Sequence, residues 1–367
     1  MLFNSSVCAV ELPGEREKMR AEKIEQYLNR EGAGLQYVVV THTGVLVNHA
    51  AGFSDIKRRI AVNPQTTMAA FSMTKTLSAI AVLQLVDAQK IRLDDQVSRY
   101  VTHPYEQTIT IKQLLDHTAG IPNPLPLRWI HSMDEHVNFN ESAALNKVLS
   151  ENGNQKYAPG ERYYYSNIGY WLLGRVVEKV TGEKYEQYVT RNIFQPLKIK
   201  PEELGFNIVN AENHAHGYLE KYSLMNAVKG FLLDDWVWQE YEGGWLRIND
   251  VYLNGPAFGG AIGSASAFGR ILQDLLSEHS VLLSDASIKL HFEQSENNAH
   301  EQIEMTLGWH VKEVSGIKYF YKEGGGAGFH SEMRLYPSKG IGSVVMVNQT
   351  SFDSTKFLNQ LDAEWMK

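Results

Sequence analysis

The sequence holds a single cysteine, Cys8, in 367 residues, which excludes a disulfide within the chain. No run of about 18 apolar residues occurs, so nothing in it reads as a membrane span. Basic residues are in deficit: 35 Lys and Arg against 42 Asp and Glu give a net charge of −7, which argues against a nucleic-acid surface. The opening stretch, MLFNSSVCAVELPGEREKMR, lacks the basic start and apolar run of a secretion leader. The expectation is a soluble cytoplasmic protein, with a periplasmic or extracellular one left open if a leader has been removed. Internal repeats, low-complexity tracts and linkers are also absent. What remains is an ordinary folded composition, 43% hydrophobic, for one large or two modest domains.

An amphipathic helix is expected from Glu15 to Asn29, with Ile24, Tyr27 and Leu28 inward and Gly32 and Gly34 as its stop. LQYVVVTHTGVLVNHAAGF then reads as a hairpin around Thr43-Gly44. A long, mostly helical middle follows, in which Thr110 and Gln113 have capping-box spacing. Beyond residue 300, TLGWHVKEV, IKYFYKE, HSEMRLYP and IGSVVMVNQ read as an antiparallel meander, closed by a helix from Ser354 to Met366. The simplest assembly is an α/β fold: one antiparallel sheet made from the hairpin and the meander, flanked by helices. Residues 15–95 and 255–367 then form a discontinuous α/β domain, 96–254 a mostly helical insertion, and the active site lies between them.

Chemistry enters at MAAFSMTKTLSAIAVLQLV, residues 68–86. Leu77, Ile80, Ala81, Leu83, Leu85 and Val86 make this a buried helix, and a lysine in its first turn is the anomaly, because an unpaired buried ammonium is costly. Ser72 and Lys75 stand at i and i+3, on one face. A serine alcohol needs a neighbour to take its proton, and a lysine kept neutral by burial or nearby charge can do so. The free N–H groups of a helix start would receive a developing oxyanion.

Two further segments carry candidates. In PGERYYYSNIGYWLLG, Tyr165 and Asn167 offer a phenol and an amide at a helix entrance. In YFYKEGGGAGFHSEMRLYP, Lys322 precedes a run of glycines that permit close backbone approach. No G-K-[ST] follows them, so a phosphate loop is discounted.

Ser72-Met73-Thr74-Lys75, Tyr165-Ser166-Asn167 and Lys322-Glu323-Gly324 resemble, in order, the S-x-x-K, Y-x-N and K-T-G motifs of the serine β-lactamase and penicillin-binding-protein superfamily. The flavour is that of class C β-lactamases with their related esterases and D-amino-acid peptidases; LLDHTAGIP and RLDDQVSRYV resemble family segments too. The resemblance spans residues 35 to 350 and implies a β-lactamase/transpeptidase-like fold. It further implies that Ser72 is acylated, Lys75 is its proton partner and Tyr165 shuttles a proton to the leaving group and activates the deacylating water. Asn167 would bind the acyl side, and Lys322 would hold the phenolic oxygen by charge. The N–H groups of Ser72 and Gly325, beside Gly324, would form the oxyanion hole. Whether Lys75 or Tyr165 is the principal base stays open.

The implied activity is a serine hydrolase, without cofactor or metal, on a small ester, amide or peptide, with esters placed before D-amino-acid substrates and β-lactams. A non-catalytic scaffold on the same fold is the alternative from another class. One departure matters: the hydroxyl of K-T-G is replaced by Glu323, which would disfavour anionic substrates if it faces them, the alternative being that it turns outward and pairs with a surface cation. His214, His216 and His300 lack metal-ligand spacing. His117 is expected to brace the end of its own helix, and His330 lies near enough to the glycines to meet substrate. Trp236, Trp238, Tyr241 and Trp245, beside Gly243-Gly244, suggest an aromatic loop over the site.

Overall fold

The computed structural model describes residues 13–28, 32–314 and 316–366. Its centre is a six-stranded antiparallel sheet of β1 (Leu35–Thr41), β2 (Gly44–Ala51), β3 (His310–Val314), β4 (Ile317–Gly326), β5 (Phe329–Tyr336) and β6 (Ile341–Val347), in the order β3-β4-β5-β6-β1-β2. The pairing of β1 with β6, from Leu35 opposite Val347 to Val40 opposite Gly342, joins the hairpin to the meander as expected. Strand β1 reads as a continuous apolar run because both its faces are covered. Leu35, Tyr37 and Val39 meet Ile24 of α1 (Pro13–Glu25) and Phe357, Leu358 and Leu361 of a carboxy-terminal helix. Val38 and Val40 meet the opposite layer.

That layer holds α2 (Thr74–Asp87), buried on all sides along nearly its whole length, as a central helix must be. Against it pack α3 (Asn167–Thr181) and the short helix Pro256–Gly259, α4 (Ala265–Leu275) lies on β1 and β6, and the carboxy-terminal helix α5 (Ser354–Leu361) lies on the far face of the sheet. Helix α3 begins where Ser166 accepts from Gly169 N at 3.1 Å and ends at Gly182, φ +75°. The Thr110–Gln113 capping box forms.

Segment 96–254 is less helical than its sequence suggests. Gly217–Glu220, Trp245–Ile248 and Trp238–Glu242 form a three-stranded sheet, and Ile130–Ser132 pairs with Val251–Leu253. Helix α1 also ends early, at Glu25, ahead of Gly32 and Gly34; Asn29 falls outside the described residues. Among the described residues, no helix is long and apolar enough to cross a membrane.

Candidate active site

Ser72 is delivered by a strained turn. Met68–Ala69 pairs with Ile262–Gly263, Ala70 N donates to Ala261 O at 2.9 Å, and Phe71 then takes φ +45°, a left-handed conformation rare for a side-chain-bearing residue. Residues Phe71–Met73 form a 3₁₀ turn and α2 starts at Thr74. Ser72 therefore sits just before the α-helix rather than within its first turn, a correction to the sequence reading. The i,i+3 relation survives, because a 3₁₀ turn also superposes residues three apart.

Lys75 Nζ lies 3.0 Å from Ser72 Oγ, 2.8 Å from Asn167 Oδ1 and 2.6 Å from the Phe258 carbonyl oxygen. Tyr165 donates its hydroxyl to Ser72 Oγ at 2.8 Å. Four of the sequence candidates thus form one hydrogen-bonded chain, Tyr165–Ser72–Lys75–Asn167. Lys75 is fully buried, and burial, then the neighbouring Lys322 charge, hold its ammonium well below its ordinary range. A neutral amine has two N–H donors and one lone pair. Asn167 Oδ1 and the Phe258 carbonyl can only accept, so they take the two protons and leave the lone pair facing the serine hydroxyl.

Tyr165 is pushed upward by burial and stays a phenol. Its ring lies 4.3 Å from the His117 ring and nearly parallel to that of His310. Lys322 Nζ sits 5.3 Å from the Tyr165 ring centre, fully buried, and meets no hydrogen-bond partner among the described residues. Burial pulls it down to about 7. The expected grip of Lys322 on the phenolic oxygen is thus not a direct hydrogen bond here; the ammonium faces the ring, and the hydroxyl is turned to Ser72.

Strand β4 brings the glycines against the nucleophile. A Cβ on Gly324 would stand 2.2 Å from Ala70 O and 2.9 Å from Ser72 N, so only glycine fits. Gly325 lines the cavity beside Ser72 together with Asn167, Phe71 and Phe258. Glu323 leaves from the strand face opposite Lys322, is half exposed and pairs with His330 Nε2 at 3.1 Å, which holds its carboxyl low. It does not line that cavity. The strand alternation that turns Lys322 and Gly324 inward sends the residue between them outward.

His117 braces a helix other than its own: at φ +60° its Nδ1 accepts from Ser166 N at 3.1 Å, fixing the entry to α3 rather than the end of the helix it follows. His330 also meets Ser354 Oγ, at 2.9 Å. His214 bonds Thr67, His216 lies between Asp55 and Asp250, and His300 is exposed. No metal-holding cluster occurs among the described residues. The aromatic loop is a hairpin set aside from the nucleophile: Trp238 packs on Leu246 and Ile248, and Trp245 on Tyr218. The residue of that region that lines the cavity is Leu233.

Three participants escaped the sequence reading. The Phe258 carbonyl carries no side-chain signature; Asn123, whose Oδ1 accepts from Asn167 N at 3.0 Å, follows the Gly120–Pro122 stop and could have been sought there. His310 lies on a strand whose pattern shows only alternation.

The chain is similar to known proteins over most of its length. The Beta-lactamase family model matches residues 20–364. Protein flp of Staphylococcus aureus (strain MW2) is 31% identical over 193 residues, 50% of this chain and 37% of that protein. The putative penicillin-binding protein PbpX of Bacillus subtilis (strain 168) is 33% identical over 180 residues, 48% of this chain and 43% of that protein. The match spans less than half the length of these curated relatives. Among solved structures, the D-amino acid amidase of Ochrobactrum anthropi SV3 superposes with a TM-score of 0.76 at 17% identity, covering 94% of this chain and 96% of that one. EstCE1, a hydrolase with promiscuous acyltransferase activity, gives 0.73 at 20% identity, covering 96% and 99%. These structures share the fold, and with the family model spanning nearly the whole sequence, the chain belongs to the beta-lactamase family.

Proposed function

We propose that the protein is a serine hydrolase that forms an acyl-enzyme on Ser72 and hydrolyses a small ester or amide. The observation that carries this is the chain Tyr165–Ser72–Lys75, with both Lys75 protons committed to Asn167 and the Phe258 carbonyl. In acylation the Lys75 lone pair takes the Ser72 proton as Oγ bonds to the substrate carbonyl carbon. The negative charge that moves to the carbonyl oxygen is received by the N–H groups of Ser72 and Gly325. Collapse of this intermediate breaks the bond to the leaving group, which takes a proton from Tyr165, and Lys75 returns its extra proton to the phenolate. Deacylation runs the same relay with water as nucleophile and Ser72 as the leaving oxygen.

In this reading Lys322 biases the relay by charge: while protonated it disfavours a second ammonium at Lys75 and favours a transient phenolate at Tyr165. The reading places the reaction where Tyr165 and Asn167, of segment 96–254, meet Ser72, Lys75 and Lys322, of 15–95 and 255–367. Turnover of p-nitrophenyl butyrate, a chromogenic cephalosporin and a D-alanyl anilide by wild type and Ser72→Ala tests it. Hydrolysis of at least one substrate that disappears in the variant is the expected result. Equal rates in both proteins would sink the proposal.

A further inference from the structure

The cavity beside Ser72 has a volume of about 330 Å³, and its wall has a consistent chemistry. Leu125, Leu127, Ile130, Leu233, Leu253 and Phe258 face it, and Leu125, 77% exposed, stands at the surface as a bare apolar side chain. Among the described residues that line it, none is ionisable; its polar side chains are Ser72, Asn123 and Asn167. Asn167 Oδ1 is already engaged by Lys75, and Asn123 Oδ1 by Asn167 N.

An anionic group entering this wall would lose its hydration and find no cation to replace it. Lys322 is enclosed beside the Tyr165 ring, outside the lining, and Glu323, which replaces the hydroxyl of the family motif, is turned away to His330 and offers the cavity no hydroxyl donor. Ser331, the nearest alternative hydroxyl on β5, is turned to the Ala70 and Gly324 carbonyls.

We infer that the pocket takes an uncharged, apolar acyl chain of medium length, with Leu233 and Leu127 setting its upper limit. This rests on the acyl-enzyme reading and goes further by naming the substrate class: neutral esters of medium-chain fatty acids, with the chain along the Leu127–Ile130 and Leu233 wall. Each methylene moved from water into such a wall raises kcat/KM about fourfold. Butyrate to octanoate adds four methylenes, so a gain of at least about tenfold is expected even with incomplete burial.

The test compares p-nitrophenyl acetate, butyrate, hexanoate and octanoate, with the mono-p-nitrophenyl ester of succinic acid as the anionic counterpart of butyrate. The proteins are wild type, Ser72→Ala, Leu233→Trp and Leu127→Trp, each checked for folding by circular dichroism. Expected are a rising profile in wild type, a succinate rate at least about 100-fold below butyrate, and a drop of about tenfold in the octanoate-to-butyrate ratio in either Trp variant. Ser72-dependent butyrate turnover with a flat chain-length profile would overturn the pocket assignment and leave the acyl-enzyme reading standing. No Ser72-dependent turnover of any ester would overturn the pocket assignment, and the acyl-enzyme reading falls with it only if the cephalosporin and the D-alanyl anilide are not turned over either. An unmoved ratio in a folded Trp variant also rejects the assignment, and the wild-type profile alone decides if neither variant folds.

Discussion

Replacing Asn167 by aspartate changes one atom group and tests the proposed state of Lys75. Asn167 Oδ1 lies 2.8 Å from Lys75 Nζ and accepts one of its protons. A carboxylate there keeps the shape but adds a negative charge beside an amine that must be neutral to take the Ser72 proton. At an effective dielectric of about 20, unit charges at this separation attract by about 6 kcal/mol. Desolvation of the new carboxylate offsets part of that, and the Lys75 pKa is expected to rise by about 1–3 units. The fraction of neutral base below that pKa falls about tenfold per unit. Activity requires the neutral amine, so it rises with pH through the Lys75 pKa, and the variant moves this limb to higher pH. The assay is the pH dependence of kcat/KM on p-nitrophenyl butyrate, with spontaneous hydrolysis subtracted. The expected result is an acid limb of the profile displaced to higher pH by about 1–3 units, with activity lost below it and recovered progressively in alkali. A uniform loss with an unmoved acid limb would refute the assignment of Lys75 as the base.

Gly324→Ala places a methyl group 2.2 Å from Ala70 O and forces the nucleophile turn away from β4. A displacement of that kind costs about 100-fold in kcat/KM, whereas Gly44→Ala, with open space around it, leaves activity unchanged; equal activities in the two variants would contradict the close-approach argument. Lys322→Met removes a buried, unpartnered ammonium. The unfolded chain binds that proton near pH 10.4 and the folded chain near 7, so between these values the unfolded state holds more protons and wild-type stability rises with pH. The variant should be more stable at pH 7 by up to about 4 kcal/mol, an advantage roughly halved at pH 9. Urea unfolding at both pH values checks this, and a variant less stable at pH 7 would contradict it. Glu332→Gln breaks the buried pair with Arg334 at 2.6 Å on the back of the sheet and is expected to cost about 3–5 kcal/mol in urea unfolding; a loss under about 1 kcal/mol would show that Asn359 and Thr355 suffice for the guanidinium.

The elements legible in the sequence were those with a strong local cause. Short β-rich runs bounded by turn residues marked β1, β2 and the meander; Ser166 and Gly182 bound α3 chemically at both ends. The spacing of Ser72 and Lys75 indicated their contact. Less was visible where the cause is tertiary. The strain at Phe71 is held from outside, by Gly326 against its ring and Gly259 against its backbone, and no local pattern announces it. The strands between Gly217 and Ile248 are short and flanked by an amphipathic helix, so their periodicity is lost in the surrounding helical pattern. For Glu323 the residue type left two readings open, facing substrate or turned outward to a partner, and strand alternation, which is a matter of register, selects the outward one.

The central claim is that Ser72 is a nucleophile activated by Lys75, and the most direct measurement is the intact mass of the protein after treatment with an alkyl fluorophosphonate. The account predicts one adduct per chain, located on Ser72 by peptide mapping, absent in Ser72→Ala and formed far more slowly in Lys75→Met. No adduct on folded wild type, or one on another residue that persists in Ser72→Ala, would contradict it.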